Sequence, residues 1–171
     1  MTPLAQSILL VLIWGFIATL VMTSVLFISQ NVGWSRLNMP VLLGSFFSPH
    51  RREANVLGYL MYMLGGELFA FVYYLIFSVI GGSSGWIGGL AGMIHGILLL
   101  ALALPMLPYI HPRVASLYEA PDSDKTLEPP GFLGLHYGYL TPLTVMVAQT
   151  AYGVLLGIGF GSLFQGAVHA S

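Results

Sequence analysis

The stretch VLGYLMYMLGGELFAFVYYLIFSVI, Val56 to Ile80, decides the fold. It is longer than the roughly 20 apolar residues that cross a bilayer as a helix. Near its middle, in Gly65-Gly66-Glu67-Leu68-Phe69-Ala70-Phe71, stands Glu67. No other Asp, Glu, Lys or Arg lies inside any long apolar stretch of the chain. A carboxylate in hydrocarbon costs roughly 3 kcal/mol or more, depending on depth, and such groups mark functional sites by default.

The rest of the composition agrees with a lipid solvent. The chain has 171 residues, 57% hydrophobic and 6% charged, with a mean hydropathy of +0.86. A soluble domain carries about 25% charged residues. With no cysteine, disulfides, thiolate metal sites and cysteine nucleophiles are excluded. A net charge of −1 gives no reason to expect nucleic-acid binding. No Gly-rich phosphate loop or nucleophile elbow in a strand-to-helix setting and no zincin motif is read in the sequence.

Four stretches are long enough to span: residues 7–29, 56–80, 86–108 and 140–164. Backbone polar groups must be satisfied inside lipid, so each is expected to be a helix. The chain is therefore read as one all-α transmembrane domain, a four-helix bundle over 1–171. The first span is too long for a signal h-region and lacks a basic leader, so it is expected to stay in place. Lys and Arg occur only in the connections 30–55 and 109–139, as Arg36, Arg51, Arg52, Arg113 and Lys125. The positive-inside rule then puts both connections in the cytoplasm and both termini outside. Trp34, Tyr109, Tyr137 and Tyr139 would mark the inner interface, and Trp86 the outer.

The two connections differ. The first holds the apolar run Leu37 to Phe47, expected to lie at the interface or re-enter, closed by Ser48-Pro49-His50-Arg51-Arg52. The second carries Glu119, Asp122, Asp124 and Glu128 among Pro121, Pro129 and Pro130. It reads as an acidic, proline-broken solvated loop, with a docking surface for a partner as the sharper alternative.

Glycines recur at four-residue spacing in the last two spans: Gly88, Gly92 and Gly96, then Gly153, Gly157 and Gly161. This spacing puts them on one helix face, where backbones can approach closely. Such a pattern is mostly a packing device, within the chain or between protomers. The Gly81 to Gly85 turn makes spans two and three an antiparallel hairpin.

Depth follows from about 1.5 Å of rise per residue. Glu67, Gln149 and Thr19 each lie roughly 9 or 10 residues from the inner ends of their helices, near mid-membrane. His95 lies about one turn higher, level with Tyr152; Tyr73 and Tyr74 are higher again. Side chains tilt toward their own helix N-terminus, which separates Glu67 from His95 in the antiparallel hairpin. Gln149 is therefore the better-placed first partner of Glu67, if spans two and four are neighbours. Hydrocarbon favours the neutral acid, which would donate a hydrogen bond. The set Glu67, His95, Gln149, Thr19 and Tyr152 reads as a buried hydrogen-bond network, a proton or ion relay, or a pocket for a quinone or lipid. A haem would need a methionine ligand beside His95, and methionine is more often a gap-filler.

His50, His111 and His136 all fall at the inner face, and three histidines on one side could bind metal. Their spacing is not that of a ligand set, so no cofactor is implied by motif. His50-Arg51-Arg52 and His111-Pro112-Arg113 would suit lipid head groups, with Arg51, Arg52 and Arg113 as the contacts.

At Gly92-Met93-Ile94-His95-Gly96, with Pro105, His111-Pro112-Arg113, Leu42-Leu43-Gly44-Ser45-Phe46 and a late glycine-rich helix, the chain resembles a group of uncharacterised bacterial four-helix integral membrane proteins. The resemblance implies a fold and a membrane location, expected to be the bacterial inner membrane, and no activity. Glu67 matches no feature of that group.

Three classes of function stay open. The first is a small non-catalytic subunit or helix-packing component of a larger membrane complex, partnered by other membrane subunits or by copies of itself. The second is a proton, ion or small-molecule transporter built around Glu67 and His95, or a quinone- or lipid-binding protein. An integral membrane enzyme ranks last, because no nucleophile–base set or metal-ligand spacing is visible.

Overall fold

The computed structural model describes residues 2–115 and 127–168. The chain is helical, with no strand among these residues beyond an isolated bridge between Val114 and Leu127. Four helical runs are long and apolar enough to cross a membrane: Leu4–Asn31, Arg51–Ile80, Gly85–Ile110 and Thr141–Phe164. The first three cover the expected stretches and extend beyond most of their ends, and the fourth begins one residue later than expected.

The elements follow from local chemistry. Helix α1 is Pro3–Asn31. A short helix, α2, spans Met39–Ser45 inside the apolar part of the first connection. Asn38 caps it, its side-chain oxygen accepting from the Val41 amide at 3.0 Å, and Pro40 fits the first turn. Helix α3 is Arg51–Ile80. Glu53 in its first turn complements the helix dipole and accepts from Ser48 Oγ at 2.6 Å.

The third apolar run is not one regular helix. Helix α4, Gly85–Leu98, passes into a π turn over Leu99–Ala103 and then into α5, Leu104–Ile110. Pro105 supplies the cause. It has no N–H to give the carbonyl four residues back, and its ring crowds that carbonyl. The Leu104 amide accordingly reaches the Leu99 carbonyl, five residues back. The fourth run is also divided, at Phe160, into α6 (Thr141–Gly159) and α7 (Gly161–Val168). Glycines on both sides of Phe160 weaken the helix there.

The chain forms two compact units. One draws on Met1–Val25, Met63–His95 and Met146–Ser171, the other on Leu26–Tyr62 and Gly96–Val145.

In the first unit, Ser84, Gly88 and Gly92 of the hairpin and α4 run antiparallel against Gly157, Gly153 and the Gln149 backbone of α6. A Cβ at Gly88 would strike the Gly153 carbonyl, and one at Gly153 the Gly88 carbonyl. Gly161 takes no part, because a Cβ there would meet open space. It lies past the break at Phe160, where the helical spacing that aligned it with Gly157 no longer holds. Gly96 is buried. Tyr152, on the neighbouring face of α6, and Phe160, at the break after it, meet α3 through Tyr73, Tyr74 and Phe77, with ring centroids 5.5 to 6.1 Å apart. Trp14 of α1 covers Gly159.

In the second unit, α2 lies against the start of α3. A Cβ at Gly44 would strike the Ala54 carbonyl, and one at Gly58 the Pro40 carbonyl. The end of the second connection folds into a 3₁₀ turn, Phe132–Tyr137, packed on the π turn and α5. So the part of that connection from Leu127 onward is built structure, where a solvated loop was expected. Glu119, Pro121, Asp122 and Asp124, on which most of the acidic docking surface was read, lie outside the described residues, as does Lys125.

Candidate functional site

The site starts with one stripe of α3. Gly66, Ala70, Tyr73 and Phe77 are buried at helical spacing. Glu67 follows Gly66 by about 100° of rotation, so it leaves the stripe and lies half-buried on its flank. What it meets there is α1. A Cβ at Gly15 would lie 2.5 Å from Glu67 Oε2 and 2.8 Å from the Ala70 Cβ. Gly15 is thus a notch, and the carboxyl fills it.

Thr19, one turn along α1, packs on Gly66 and donates its hydroxyl to the Gly15 carbonyl at 2.8 Å. Tyr152 of α6 donates to the Gly66 carbonyl at 2.6 Å. Both hydroxyl protons are therefore given to backbone oxygens, of Gly15 and Gly66. Glu67 Oε2 itself is buried and has no hydrogen-bond partner among the described residues.

The expected Glu67–Gln149 hydrogen bond does not form. Gln149 is buried, and its Oε1 also lacks a partner among the described residues. The reason is rotation about the helix axes. Gln149 shares with Gly153 and Gly157 the face of α6 that meets α4, and its backbone lies against Gly92. Glu67 faces α1. Similar depth along the helices does not bring the two side chains together.

His95 is placed elsewhere again. Its Nδ1 lies 3.4 Å from the Tyr73 hydroxyl, and Phe69 lies over its ring with centroids 4.3 Å apart. Among the described residues it forms no ion pair with Glu67. The expected mid-membrane set thus separates into a Gly15–Thr19–Gly66–Tyr152 cluster with Glu67 at its edge, and a Tyr73–His95 pair. Edge-on contact of the Tyr73 and Tyr152 rings joins them.

The three histidines weighed as metal ligands are not brought together. Among the described residues, no group of three His, Asp or Glu side chains could hold a metal ion. His111 is buried, with Nε2 2.8 Å from the Leu42 carbonyl and Nδ1 3.1 Å from the Arg113 amide. Nε2 must donate and Nδ1 accept, so both ring nitrogens are committed to backbone. His136 Nδ1 is 2.9 Å from the Pro129 carbonyl. His50 is exposed, 3.7 Å from Glu53.

The arginines differ in the same way. Arg113 donates to the Ser45 and Phe46 carbonyls at the C-terminal end of α2, where orphan carbonyls collect. Its charge is used inside the fold, whereas Arg51 and Arg52 are exposed. Arg36 pairs with Glu128 at 3.2 Å and donates to the His136 carbonyl. Tyr137, expected at an interface, is instead buried and donates to the Glu128 carbonyl at 2.6 Å. Burial, reinforced by Glu128 and opposed by Arg36, pushes its phenol up to about 12. Trp34, Tyr109, Tyr139 and Trp86 are exposed.

Two contacts were missed in the sequence. The α2–α3 approach had a signal, since Ala54 and Gly58 stand at small-residue spacing. The Gly15 notch had a weaker one, an isolated glycine in an apolar helix. No family model, curated protein or solved structure matches the chain.

Proposed function

We propose that this chain is an integral membrane protein serving as a helix-packing subunit of a larger membrane assembly. Lipid as solvent is supported by the surface. Leu64, Leu68, Leu75, Val79 and Trp86 are between 62 and 91% exposed, and contiguous apolar surface of this kind needs a cover. The five Lys and Arg residues support termini on the outer side.

The subunit role rests on one observation: Glu67 Oε2 is buried against Gly15 without a hydrogen-bond partner among the described residues, while the residue is only half-buried. An unanswered polar atom in apolar surroundings costs free energy. The hydroxyls beside it, on Thr19 and Tyr152, already donate to backbone. A cation or donor presented by another chain at the half-buried flank of Glu67 would offset that cost. Native mass spectrometry from a mild-detergent extract tests this. Companion chains in fixed stoichiometry are expected, and a lone monomer in every extract would sink the reading.

Transport is the second reading, favoured by the Tyr73–His95 pair beside the cluster. Glu67→Gln would then abolish proton or solute flux in proteoliposomes while leaving the helix content intact. Unchanged flux would end that reading.

A further inference from the structure

We infer that Glu67, seated in the Gly15 notch of α1, is the docking point for a partner transmembrane helix that presents a lysine or arginine. The inference rests on the subunit reading and names the chemistry of the partner.

Complementarity of charge carries it. Glu67 is the single Asp, Glu, Lys or Arg in the apolar part of the helices, and its Oε2 accepts no hydrogen bond among the described residues. The neighbouring groups offer it no donor. Thr19 Oγ1 donates to Gly15, Tyr152 to Gly66, and His95 Nδ1 faces Tyr73. The surroundings are apolar and open: Leu12 and Phe16 flank Gly15 on α1, Leu64 and Leu68 flank Glu67 on α3, and all four are exposed. A helix can therefore approach along this flank and meet the exposed part of the half-buried Glu67 side chain, Oε2 itself lying covered in the notch.

The partner is a different chain. Every lysine and arginine of this protein lies at 36, 51, 52, 113 or 125, outside the apolar stretches. A second copy has no such cation to offer at the depth of Glu67. A lysine or arginine inside a partner helix carries the same burden as Glu67, so pairing satisfies both. Lysine brings three donors and arginine five, so either can pair with the carboxyl from its exposed flank.

The test uses the intact protein in lipid vesicles with a synthetic Leu/Ala-rich transmembrane peptide carrying one central lysine. A matched peptide with norleucine at that position is the control. Energy transfer between labelled peptide and protein reads association. The lysine peptide is expected to bind wild type roughly tenfold more tightly than it binds Glu67→Gln, a difference of about 1.4 kcal/mol. The norleucine peptide should not distinguish the two proteins. Because Glu67→Gln could perturb folding, Glu67→Asp is measured beside it and should retain preference for the lysine peptide. Equal binding of both peptides to wild type, or equal binding of the lysine peptide to wild type and Glu67→Gln, overturns the inference. Companion chains in the native extract would then leave the subunit reading standing. A monomer in every native extract removes the subunit reading and the inference with it.

Discussion

The Tyr152 hydroxyl donates to the Gly66 carbonyl at 2.6 Å, tying α6 to α3 beside Glu67. Gly66 has no side chain to shield its carbonyl, so the phenol reaches the backbone. Hydrogen bonds between helices in lipid are worth about 0.6 kcal/mol on average and up to about 1.7. Tyr152→Phe is expected to lower stability by that amount, read as a shift in detergent-induced unfolding. Tyr152→Ala also removes the ring that meets Tyr73 and should cost about 3 kcal/mol or more. Equal effects would mean that the hydroxyl carries the whole contact.

Glycines in the apolar helices divide into two kinds. A Cβ at Gly153 would strike the Gly88 carbonyl, whereas one at Gly65 meets nothing within 4 Å. Gly153→Ala is expected to destabilise by about 1–3 kcal/mol, because two backbones must separate. Gly65→Ala should stabilise by up to about 1 kcal/mol through helix propensity. Thermal unfolding in one detergent compares them, and the same sign for both would contradict the packing.

His111 holds α2 in place through Leu42 and Arg113. His111→Ala leaves those groups unanswered and should cost about 1–3 kcal/mol. Faster hydrogen exchange is expected at the amides of Met39–Ser45, with Gly88 to Gly92 unchanged. His50→Ala, at an exposed ring, should stay within about 0.5 kcal/mol.

Tyr137 gives a pH signature. Its phenol is raised from 10.0 to about 12 in the fold, by burial first and Glu128 second. Below pH 10 the phenol is neutral whether the chain is folded or not. Between 10 and 12 the unfolded chain releases the proton while the folded chain holds it, so stability falls as pH rises through this window. Phenolate absorbance should show a late titration that Tyr137→Phe removes and Glu128→Gln moves lower. An unmoved late titration in Glu128→Gln would contradict the contribution of Glu128.

The four long helices were legible in the sequence because length and apolar composition alone bound a span. The site was legible in one coordinate. Rise per residue placed Glu67 and Gln149 at similar depth, but rotation about each axis decides contact. Gln149 shares its face with the glycines that meet α4, and Glu67 lies against Gly15 of α1. The tilt of side chains toward the helix N-terminus explains the histidine. The tilt that parts His95 from Glu67 brings Tyr73, farther along α3, toward it, and these two pair at 3.4 Å. The π turn was hidden because Pro105 sits in an unbroken apolar run, where nothing in the composition marks a change of winding.

That π turn has a further consequence for the length of the third helical run. One turn of five residues is an α-helix carrying a spare residue. Removing one residue from Leu99–Ala103 would leave the segments on either side in phase. Removing one from α4 would swing everything beyond it by about 100°. The run therefore has a single splice point where its residue count can change without re-aiming the side chains it presents.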